Sequence, residues 1–406
     1  MPASNSTTNR RGAGWAASCW PGLACGRRTD PPLTSNLLSI SNRTDIVAIT
    51  KYRTWACVAA AFLGAVSAAG ATQAQAGAGT KGRFEWRSSA PLITPSNAGA
   101  QAYSGLKDSS VVYFNGAYHV FMTTAASDGW NMAYARFKDW SEAPKAEVVS
   151  LKPSGIGPGY RAAPQVFYFA PQKLWYLVYQ GGPPLYSTTA NIEDPMSWSA
   201  PKPFFAETPA AVKNAAGEAS WLDFWVICDD VNCHLFNTDD NGHLYRSQTP
   251  IGRFPEGFAD TKMVLTGARD DIFEASMHYK IAGTNTYLTA IEAISPRGRY
   301  FRSWISDRLD GEWRPLADSA SNSFAGSDNV TFDGPAWSEG VSHGELVRSG
   351  HDQTLTIDPC KPLRFLYQGL ASHPPGTDYI NLPYNLALLT ATGPNPISRL
   401  CRTPVK

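Results

Sequence analysis

An aromatic pattern recurs along this chain at nearly constant spacing. In each copy an aromatic residue opens a short polar cluster, and a second aromatic follows 6 to 12 residues later in a turn-like setting. The first aromatics are Tyr134, Tyr186, Tyr245 and Phe301, and the second are Trp140, Trp198, Phe254 and Trp313. The second aromatics lie 58, 56 and 59 residues apart. A fixed period of this size, with several short strands per unit, is typical of the blades of a β-propeller.

The length of the chain limits the number of blades. The 325 residues from Gly82 to Lys406 hold about five units of this size, of which four are visible. Terminal repeats are commonly atypical, so a degenerate fifth unit is expected to close the ring. Hairpin signals such as Asn115-Gly116 recur, and no long segment carries a helical period. We therefore predict an all-β, five-bladed β-propeller, a single catalytic domain over residues 77–406.

The segment before this domain has the features of a leader. It has a basic start at 51–53, an apolar stretch at 55–66 and a small-residue cleavage site, Ala-Gln-Ala, at 74–76. This is the order of parts in a secretory signal peptide, and the apolar stretch is shorter than the roughly 20 residues that span a bilayer. We predict a signal peptide at 51–76; a buried helix is the alternative. Residues 1–50 are interpreted as an extension outside the fold or as a start site assigned too far upstream.

Composition limits the class of partner. The chain has 35 basic and 34 acidic residues, so it carries no charge excess that would favour nucleic acid or an anionic membrane. Aromatic residues make up 12% of the chain against 17% for charged residues. Aromatic side chains stack on flat, uncharged partners such as sugar rings, although they also pack cores. We expect a secreted, extracellular monomer that binds carbohydrate, and neither nucleic acid nor a membrane after signal removal.

Four cysteines lie beyond the leader, namely Cys228, Cys233, Cys360 and Cys401. An even number in an exported protein is typical of disulfides, and four cysteines allow three pairings. Cys228 and Cys233 flank a turn-like segment at 229–232, which favours their pairing and leaves Cys360 with Cys401. Free buried thiols are the alternative.

Three acidic residues hold similar positions relative to the repeat. Asp108, Asp223 and Glu274 precede the first aromatic of their copies by 26, 22 and 27 residues, and the second copy has Ala162 at the corresponding position. We expect these acids on the first strand of three blades, the strand that lines the axis of a propeller. Converging carboxylates with unequal surroundings are what hydrolysis of a glycosidic bond needs. Loop capping or pairing with a nearby Lys or Arg is the alternative for each acid.

Six segments around these acids form a longer motif set. They are Leu-Lys-Asp-Ser-Ser-Val-Val-Tyr at 106–113, Ala-Pro-Gln-Val-Phe-Tyr-Phe-Ala-Pro at 163–171, Trp-Leu-Asp-Phe-Trp-Val-Ile-Cys-Asp at 221–229, Ile-Phe-Glu-Ala at 272–275, Ser-His-Gly-Glu at 342–345 and Asp-Gln-Thr-Leu at 352–355. In this order they resemble glycoside hydrolase family 62, the secreted α-L-arabinofuranosidases that trim arabinose from arabinoxylan. The resemblance runs from about Phe84 to Thr390.

The resemblance implies a five-bladed propeller and hydrolysis with inversion at the anomeric carbon. Carried over to this chain, Asp108 is the general base that activates water and Glu274 the general acid that protonates the departing xylan oxygen. Asp223 is then the acid that tunes the pKa of Glu274 and orients it. In inverting enzymes the carboxyls of base and acid stand roughly 6.5–9.5 Å apart, which leaves room for the water.

Further residues are predicted to contact the sugar. Lys107, next to the base, is expected to hold a sugar hydroxyl and to keep Asp108 ionised; a surface lysine is the alternative. The other candidates for substrate binding are Gln180, Phe224, Arg302 and Tyr379. Arg and Tyr also serve as ordinary packing or rim residues, which is the alternative for Arg302 and Tyr379.

His343 resembles the family's histidine beside a bound metal ion, often calcium, within the ring. Calcium prefers oxygen ligands, so water would have to supply most of its shell around one imidazole. A hydrogen-bonded structural histidine is the alternative. The expected chemistry requires no cofactor, and the metal expectation is limited to structural calcium at the propeller axis.

Two positions depart from the family pattern. Gly181-Gly182 follow Gln180 where the family commonly has Trp, which removes a stacking surface from the expected xylan subsites. Gly340-Val341 precede Ser342 where the pattern often has Asp-Ile. The chain as a whole is expected to be an exo-acting α-L-arabinofuranosidase on arabinoxylan. A related propeller glycosidase with another pentose specificity and a non-catalytic carbohydrate-binding propeller are the alternatives.

Overall fold

A computed structural model describes residues 82–216 and 221–402. These residues belong to one compact unit, assigned to residues 75–406. The predicted signal peptide at 51–76 and the extension at 1–50 lie outside the described residues, so both stay predictions. In the described part of the chain, no helix is long and apolar enough to cross a membrane.

Short strands dominate the described residues and form five sheets, which we number as blades one to five. Blade one contains Tyr103–Phe114, Ala117–Ala126, Gly129–Phe137 and Val149–Ser150. Blade two contains Ala162–Phe169, Leu174–Gln180, Pro184–Thr189 and Lys202–Pro203. Blade three contains Leu222–Cys228, Asn232–Thr238, His243–Pro250 and Ala259–Thr266. In each of these blades the strands follow one another in chain order and pair antiparallel.

Blades four and five recruit strands from distant parts of the chain. Blade four contains Glu274–Ile281, Tyr287–Ser295, Gly298–Ser306, Arg314–Ser319 and Asn322–Ser323, with Thr356–Ile357 paired parallel to its first strand. Blade five contains Ser342–Leu346, Arg364–Leu370 and Tyr384–Ala391, followed by Trp86–Ser88 and Val330–Phe332. The first strands of neighbouring blades contact each other all the way round, including blade five with blade one. This arrangement confirms the predicted five-bladed β-propeller.

The ring is closed by a strand from the beginning of the domain. Trp86–Ser88 pairs antiparallel with Tyr384–Ala391 and parallel with Val330–Phe332. Trp86 is 1% exposed, and its indole nitrogen donates to the backbone oxygen of Phe324 at 2.5 Å. Blade five therefore combines both ends of the domain, which explains why the fifth unit has no copy of the aromatic repeat.

The repeated second aromatics fill equivalent places between blades. Each lies in the connection from the third to the fourth strand of blades one to four. Trp198 meets Phe121 of blade one at 5.5 Å between ring centroids, and Phe254 meets Phe169 of blade two at 4.5 Å. Since apolar surface between sheets must be buried at every junction, one large ring per blade produces the period seen in the sequence.

The remaining elements are short and peripheral to the sheets. One α-helix, Ala210–Ala216, precedes blade three. Short 3-10 helices occupy Pro95–Ala98, Ala143–Lys145, Ala170–Gln172, Ile251–Arg253, Tyr379–Asn381 and Ser398–Leu400. Both favoured disulfides are formed, Cys228 with Cys233 and Cys360 with Cys401. The first bridges two paired strands of blade three, and the second ties the last described residues to the loop before Arg364–Leu370.

Candidate active site

A cavity of about 280 Å³ lies where the first strands of the blades converge. Its walls contain all three predicted acids, Asp108, Asp223 and Glu274. Asp108 comes from blade one, Asp223 from blade three and Glu274 from blade four, each on the first strand as predicted. Residues more than 160 positions apart in the chain therefore meet in one site because they share a place in the repeat.

A β-bulge in each first strand aims these side chains. The pairing register shifts between Lys107 and Ser110 in blade one, and at the equivalent three-residue step in blades two, three and four. The residue after the start of each step has a positive φ: 47° at Asp108, 51° at Ala163, 54° at Asp223 and 55° at Ala275. A bulge breaks the strict alternation of a strand, so two consecutive side chains can face one cavity.

The positions of the bulges show that the three acids are not all at equivalent positions of their blades, contrary to the expectation from the sequence. Asp108 and Asp223 both occupy the positive-φ position, but in blade four that position belongs to Ala275. Glu274 lies one residue earlier and is equivalent to Lys107, not to Asp108. The uncharged equivalent of the two aspartates in blade two is Ala163, not Ala162. Sequence distance alone does not resolve this one-residue offset, because loop lengths differ between copies.

The backbone N–H at each bulge donates to a side chain of the preceding blade. The five pairs are Asp108 with Gln368, Ala163 with Thr123, Asp223 with Gln180, Ala275 with Asp223, and His343 with Glu292, at 2.7, 2.8, 3.1, 2.8 and 2.8 Å. Buried N–H groups need such partners, so these bonds fix each bulge to its neighbour. The acids are thereby held by a closed ring of contacts between blades.

Blade three departs from this ring. In the other blades the acceptor lies on the second strand, opposite the residue that begins the bulge. In blade three the residue at that place is Thr238, whose hydroxyl is buried and has no hydrogen-bond partner among the described residues. Asp223 takes over instead, and its Oδ2 accepts the N–H of Ala275. One carboxylate thus both lines the cavity and fixes the residue that follows Glu274.

Asp108 is buried beside two basic side chains. Lys107 Nζ lies 3.9 Å and His343 Nδ1 3.4 Å from Asp108 Oδ1. Burial alone would raise the pKa of Asp108, but Lys107 and His343 outweigh it and hold that pKa below its usual value. This carboxyl is therefore kept ionised, as a general base must be.

Lys107 is held by three aromatic rings. Its ammonium lies 5.0 Å from the ring centre of Trp130, 4.6 Å from Tyr379 and 5.2 Å from Tyr384, and it donates to the Tyr379 hydroxyl at 2.7 Å. Burial opposes the charge, but Asp108 and Tyr379 keep the pKa of Lys107 above its ordinary value. The cation is therefore permanent and fixed in place.

Asp223 has the opposite electrostatic character. Burial, with the negative charges of Glu274 and Asp108 added, raises its pKa well above the ordinary value for an aspartate. His343 Nδ1 lies 3.8 Å from its Oδ2. Asp223 therefore holds a proton more readily than Asp108 does.

Three of the five predicted sugar contacts line the cavity, Lys107 among them, and two do not. Gln180 and Tyr379 are in its walls, and Tyr379 is 50% exposed. Phe224 is 2% exposed and packs in the apolar core, with its ring 5.2 Å from that of Trp221. Arg302 donates to the backbone oxygens of Asp318 and Asp271 outside the cavity. Neither Phe224 nor Arg302 is therefore assigned to sugar binding, which corrects the expectation for both.

The metal expectation for His343 is not supported. Across residues 82–216 and 221–402, no group of three or more His, Cys, Asp or Glu side chains is placed to hold a metal ion. His343 instead faces the carboxylates of Asp108 and Asp223 through Nδ1. These surroundings do not fit a calcium site built on this imidazole, and no step of the chemistry below depends on a metal.

Several lining residues were not among the site residues predicted from the sequence. Trp130, Tyr160, Asp240, Phe273 and Arg299 all contribute to the cavity. Phe273 directly precedes Glu274 and belongs to the Ile-Phe-Glu-Ala motif at 272–275. Asp240 lies in the turn between the second and third strands of blade three. Arg299 lies on the third strand of blade four, where nothing local distinguishes it from an exposed arginine.

The family model that matches this chain is glycosyl hydrolase family 62, over residues 85–390. The chain belongs to this family. The match spans the whole propeller, from the closing strand Trp86–Ser88 to the last residues of Tyr384–Ala391, and includes every acid in the cavity. The family 62 resemblance found in the sequence motifs is therefore confirmed.

Solved family 62 structures are similar in fold and sequence. The catalytic domain of the Coprinopsis cinerea α-L-arabinofuranosidase is 51% identical, with a TM-score of 0.74, over 77% of this chain and 98% of that one. An α-L-arabinofuranosidase from Podospora anserina, solved with cellotriose, is 44% identical with a TM-score of 0.74 and the same coverages, 77% and 98%. A family 62 hydrolase solved with xylotriose is 46% identical with a TM-score of 0.73, again over 77% and 98%.

A curated relative is longer than this chain. α-L-Arabinofuranosidase C of Cellvibrio japonicus is 42% identical over 313 residues, which are 76% of this chain and 47% of that protein. The chain thus matches about half the length of this relative.

Proposed function

We propose that this protein is an exo-acting α-L-arabinofuranosidase that removes arabinofuranosyl side chains from arabinoxylan with inversion. The observation that carries the proposal is the unequal charge state of acids in one cavity. Asp108 is held ionised by Lys107, whereas burial and like charges favour a proton on Asp223 beside Glu274. Glycoside hydrolysis requires an ionised base and a second carboxyl that donates a proton, and this cavity contains an ionised Asp108 together with the carboxyls of Asp223 and Glu274.

In this mechanism Asp108 accepts a proton from the attacking water while Glu274 protonates the departing xylan oxygen. Glu274 suits the acid role because its side chain is 19% exposed, against 8% for Asp223. Asp223 accepts the N–H of Ala275, the residue that follows Glu274, and thereby helps to orient Glu274.

The shape of the site supports removal of single terminal sugars. Asp108 and Asp223 are each 8% exposed, so the reacting carbon must enter the cavity to reach them. A furanosyl side chain can do this, whereas a continuing polysaccharide chain cannot. The exposed ring of Tyr379 at the rim offers a stacking surface for the sugar or the xylan backbone. Relatives solved with xylotriose and cellotriose support an oligosaccharide of this kind as the partner.

The first experiment measures arabinose released from wheat arabinoxylan and from defined arabinoxylo-oligosaccharides. The wild type should release arabinose, and proton NMR should show the inverted anomer as the first product. Asp108→Asn and Glu274→Gln should each lower turnover by roughly 10²–10⁴-fold while sugar binding is largely kept. Arabinose release by Glu274→Gln at the wild-type rate would refute the acid assignment. Binding without any release by the wild type would favour a carbohydrate-binding propeller.

We also propose that the protein is secreted. Two disulfides are formed in the described domain, which is typical of exported proteins. The predicted signal peptide at 51–76 directs the chain to export in this proposal. Sequencing the N-terminus of the extracellular product should give a start shortly after residue 76. A mature protein that retains residues 51–76 would refute the proposal.

A further inference from the structure

Arg299 lies between two carboxylates of blade four. Its Nη1 donates to Glu274 Oε1 and, at 2.6 Å, to Glu292 Oε1. Glu274 and Glu292 are direct partners across the first two strands of the blade. Facing carboxylates repel each other, so a shared cation is what allows this pair to stand side by side.

Glu292 is fully buried and does not reach the cavity. It is 0% exposed and is not part of the cavity wall. Its two carboxylate oxygens each accept the Ser342 hydroxyl at 3.0 Å, and Oε2 accepts the backbone N–H of His343 at 2.8 Å. These bonds come from blade five, so the position of Glu292 is fixed from outside its own sheet.

The backbone of Arg299 is fixed from the same side. The N–H of Val341 donates to the Arg299 oxygen at 3.0 Å. A Cβ at Gly340 would lie 2.9 Å from both the N and the O of Arg299, so only glycine permits this close approach. The guanidinium also stacks on the ring of Phe273 at 4.8 Å. Side chain and backbone of Arg299 are thus both held in one place.

We propose that Arg299 is the positioning residue of the catalytic acid, and that buried Glu292 supports Arg299 in this role. By binding Oε1 of Glu274, Arg299 leaves Oε2 as the oxygen that carries the proton. When that proton passes to the departing oxygen and the glycosidic bond breaks, the new carboxylate is already paired with a cation. This inference rests on the proposed role of Glu274 and adds the group that orients it.

The proposal predicts a dependence on the leaving group. A xylan alkoxide needs a proton as it departs, whereas a 2,4-dinitrophenolate does not, because it is a stable anion. Arg299→Gln should therefore lower kcat/KM on an arabinoxylo-oligosaccharide by roughly 10²-fold or more. On 2,4-dinitrophenyl α-L-arabinofuranoside the same variant should lose less than roughly tenfold. Glu292→Gln should show the same pattern with a smaller loss.

Matched variants separate this outcome from structural damage. Arg269 stacks on the same Phe273 ring, also at 4.8 Å, but pairs with Asp240 and Asp270 instead of Glu274. Arg269→Gln should therefore affect both substrates alike. Gly340→Ala, which keeps every functional group, should reproduce part of the Arg299→Gln pattern by displacing the Arg299 backbone. Circular dichroism and thermal melting identify any variant that fails to fold, and Arg299→Lys then replaces Arg299→Gln.

The two hypotheses fail in different ways. If Asp108→Asn keeps activity, or Glu274→Gln loses equally on both substrates, the proposed function is wrong in its assignment of base or acid. If those two variants behave as expected but Arg299→Gln loses equally on both substrates, Arg299 is a substrate-binding residue and the inference is overturned. Unchanged activity of Arg299→Gln on the oligosaccharide overturns it as well.

Discussion

Lys107 is a buried cation that lies beside the proposed catalytic base. Three aromatic rings enclose its ammonium, and Asp108 is the carboxylate within reach at 3.9 Å. The positive charge that keeps Asp108 ionised therefore comes from Lys107, which stays protonated. This arrangement makes the ionisation of Asp108 sensitive to a single substitution.

Replacing Lys107 by Gln should move the acid limb of the pH profile of kcat/KM to higher pH. The base must be ionised, and Lys107 lowers the pKa of Asp108 below 3.8, so loss of the cation raises that pKa and activity fails at less acidic pH. A shift of about one pH unit or more is expected from an ion pair at this distance. Lys152→Gln, at an exposed pair with Asp128, is the matched control. An unchanged limb in Lys107→Gln would show that Lys107 does not control the base.

The buried side chain of His119 makes the stability of the fold depend on pH. It is 0% exposed, and burial lowers its pKa to about 4, against 6.5 for the free side chain. Between these values the unfolded chain binds more protons than the folded one, so stability is lost as pH falls from 6.5 towards 4. His119→Gln should reduce the slope of the unfolding free energy by up to about 1.4 kcal/mol per pH unit in this window. Equal slopes in urea titrations of both proteins would contradict the assignment.

At the scale of the element, the bulge in the first strand of a blade directs side chains at a repeated position into the cavity. The bulge places a non-glycine residue at positive φ in blades one to four. Such residues are strained by roughly 1–3 kcal/mol unless they gain a compensating contact. At Asp108 and Asp223 the position serves the cavity, whereas at Ala163 in blade two it carries no functional side chain.

Ala163→Gly tests the strain at the bulge. Glycine adopts φ of 51° without a steric penalty, so the substitution should be neutral or stabilising. Ala133→Gly is the matched control because Ala133 is buried in an ordinary strand position of blade one, where glycine costs about 0.5–1 kcal/mol. The two variants should differ by about 1 kcal/mol or more in unfolding free energy, measured by denaturant titration. Equal losses would mean that the bulge stores no strain.

The sequence was sufficient to place the acids on the right strand but not in the right register. Repeat spacing identifies the blade and the strand because every copy has the same strand order. It does not show where the bulge falls, since a bulge depends on contacts with the preceding blade, such as Thr123 to Ala163. The same holds for Arg299 and Glu292, whose significance comes from contacts across strands and blades. Phe224 was wrongly expected to contact the sugar for a related reason. A bulge changes which face of the sheet the following side chains take, and the sequence does not show where the bulge lies.

At the scale of the molecule, the stability of the ring depends on its closing strand. Trp86→Ala should lower the free energy of unfolding by about 3–5 kcal/mol, because it removes a large buried side chain from blade five. Arg87→Ala, on the same strand, should change it by less than about 0.5 kcal/mol, since Arg87 is 63% exposed. Denaturant titration of both variants gives the comparison. Similar losses for the two would show that the strand contributes through its backbone alone.

The composite fifth blade also brings the two ends of the described domain together. Gly82 lies against the guanidinium of Arg399, and Cys401 follows two residues later. Blades two and three, in contrast, are each formed by one continuous stretch of the chain. A circular permutant, with its ends joined by a short linker and its new termini in the loop at 204–209, would therefore keep every sheet intact. The point at which the chain enters the ring is thus not fixed by the pairing of the strands.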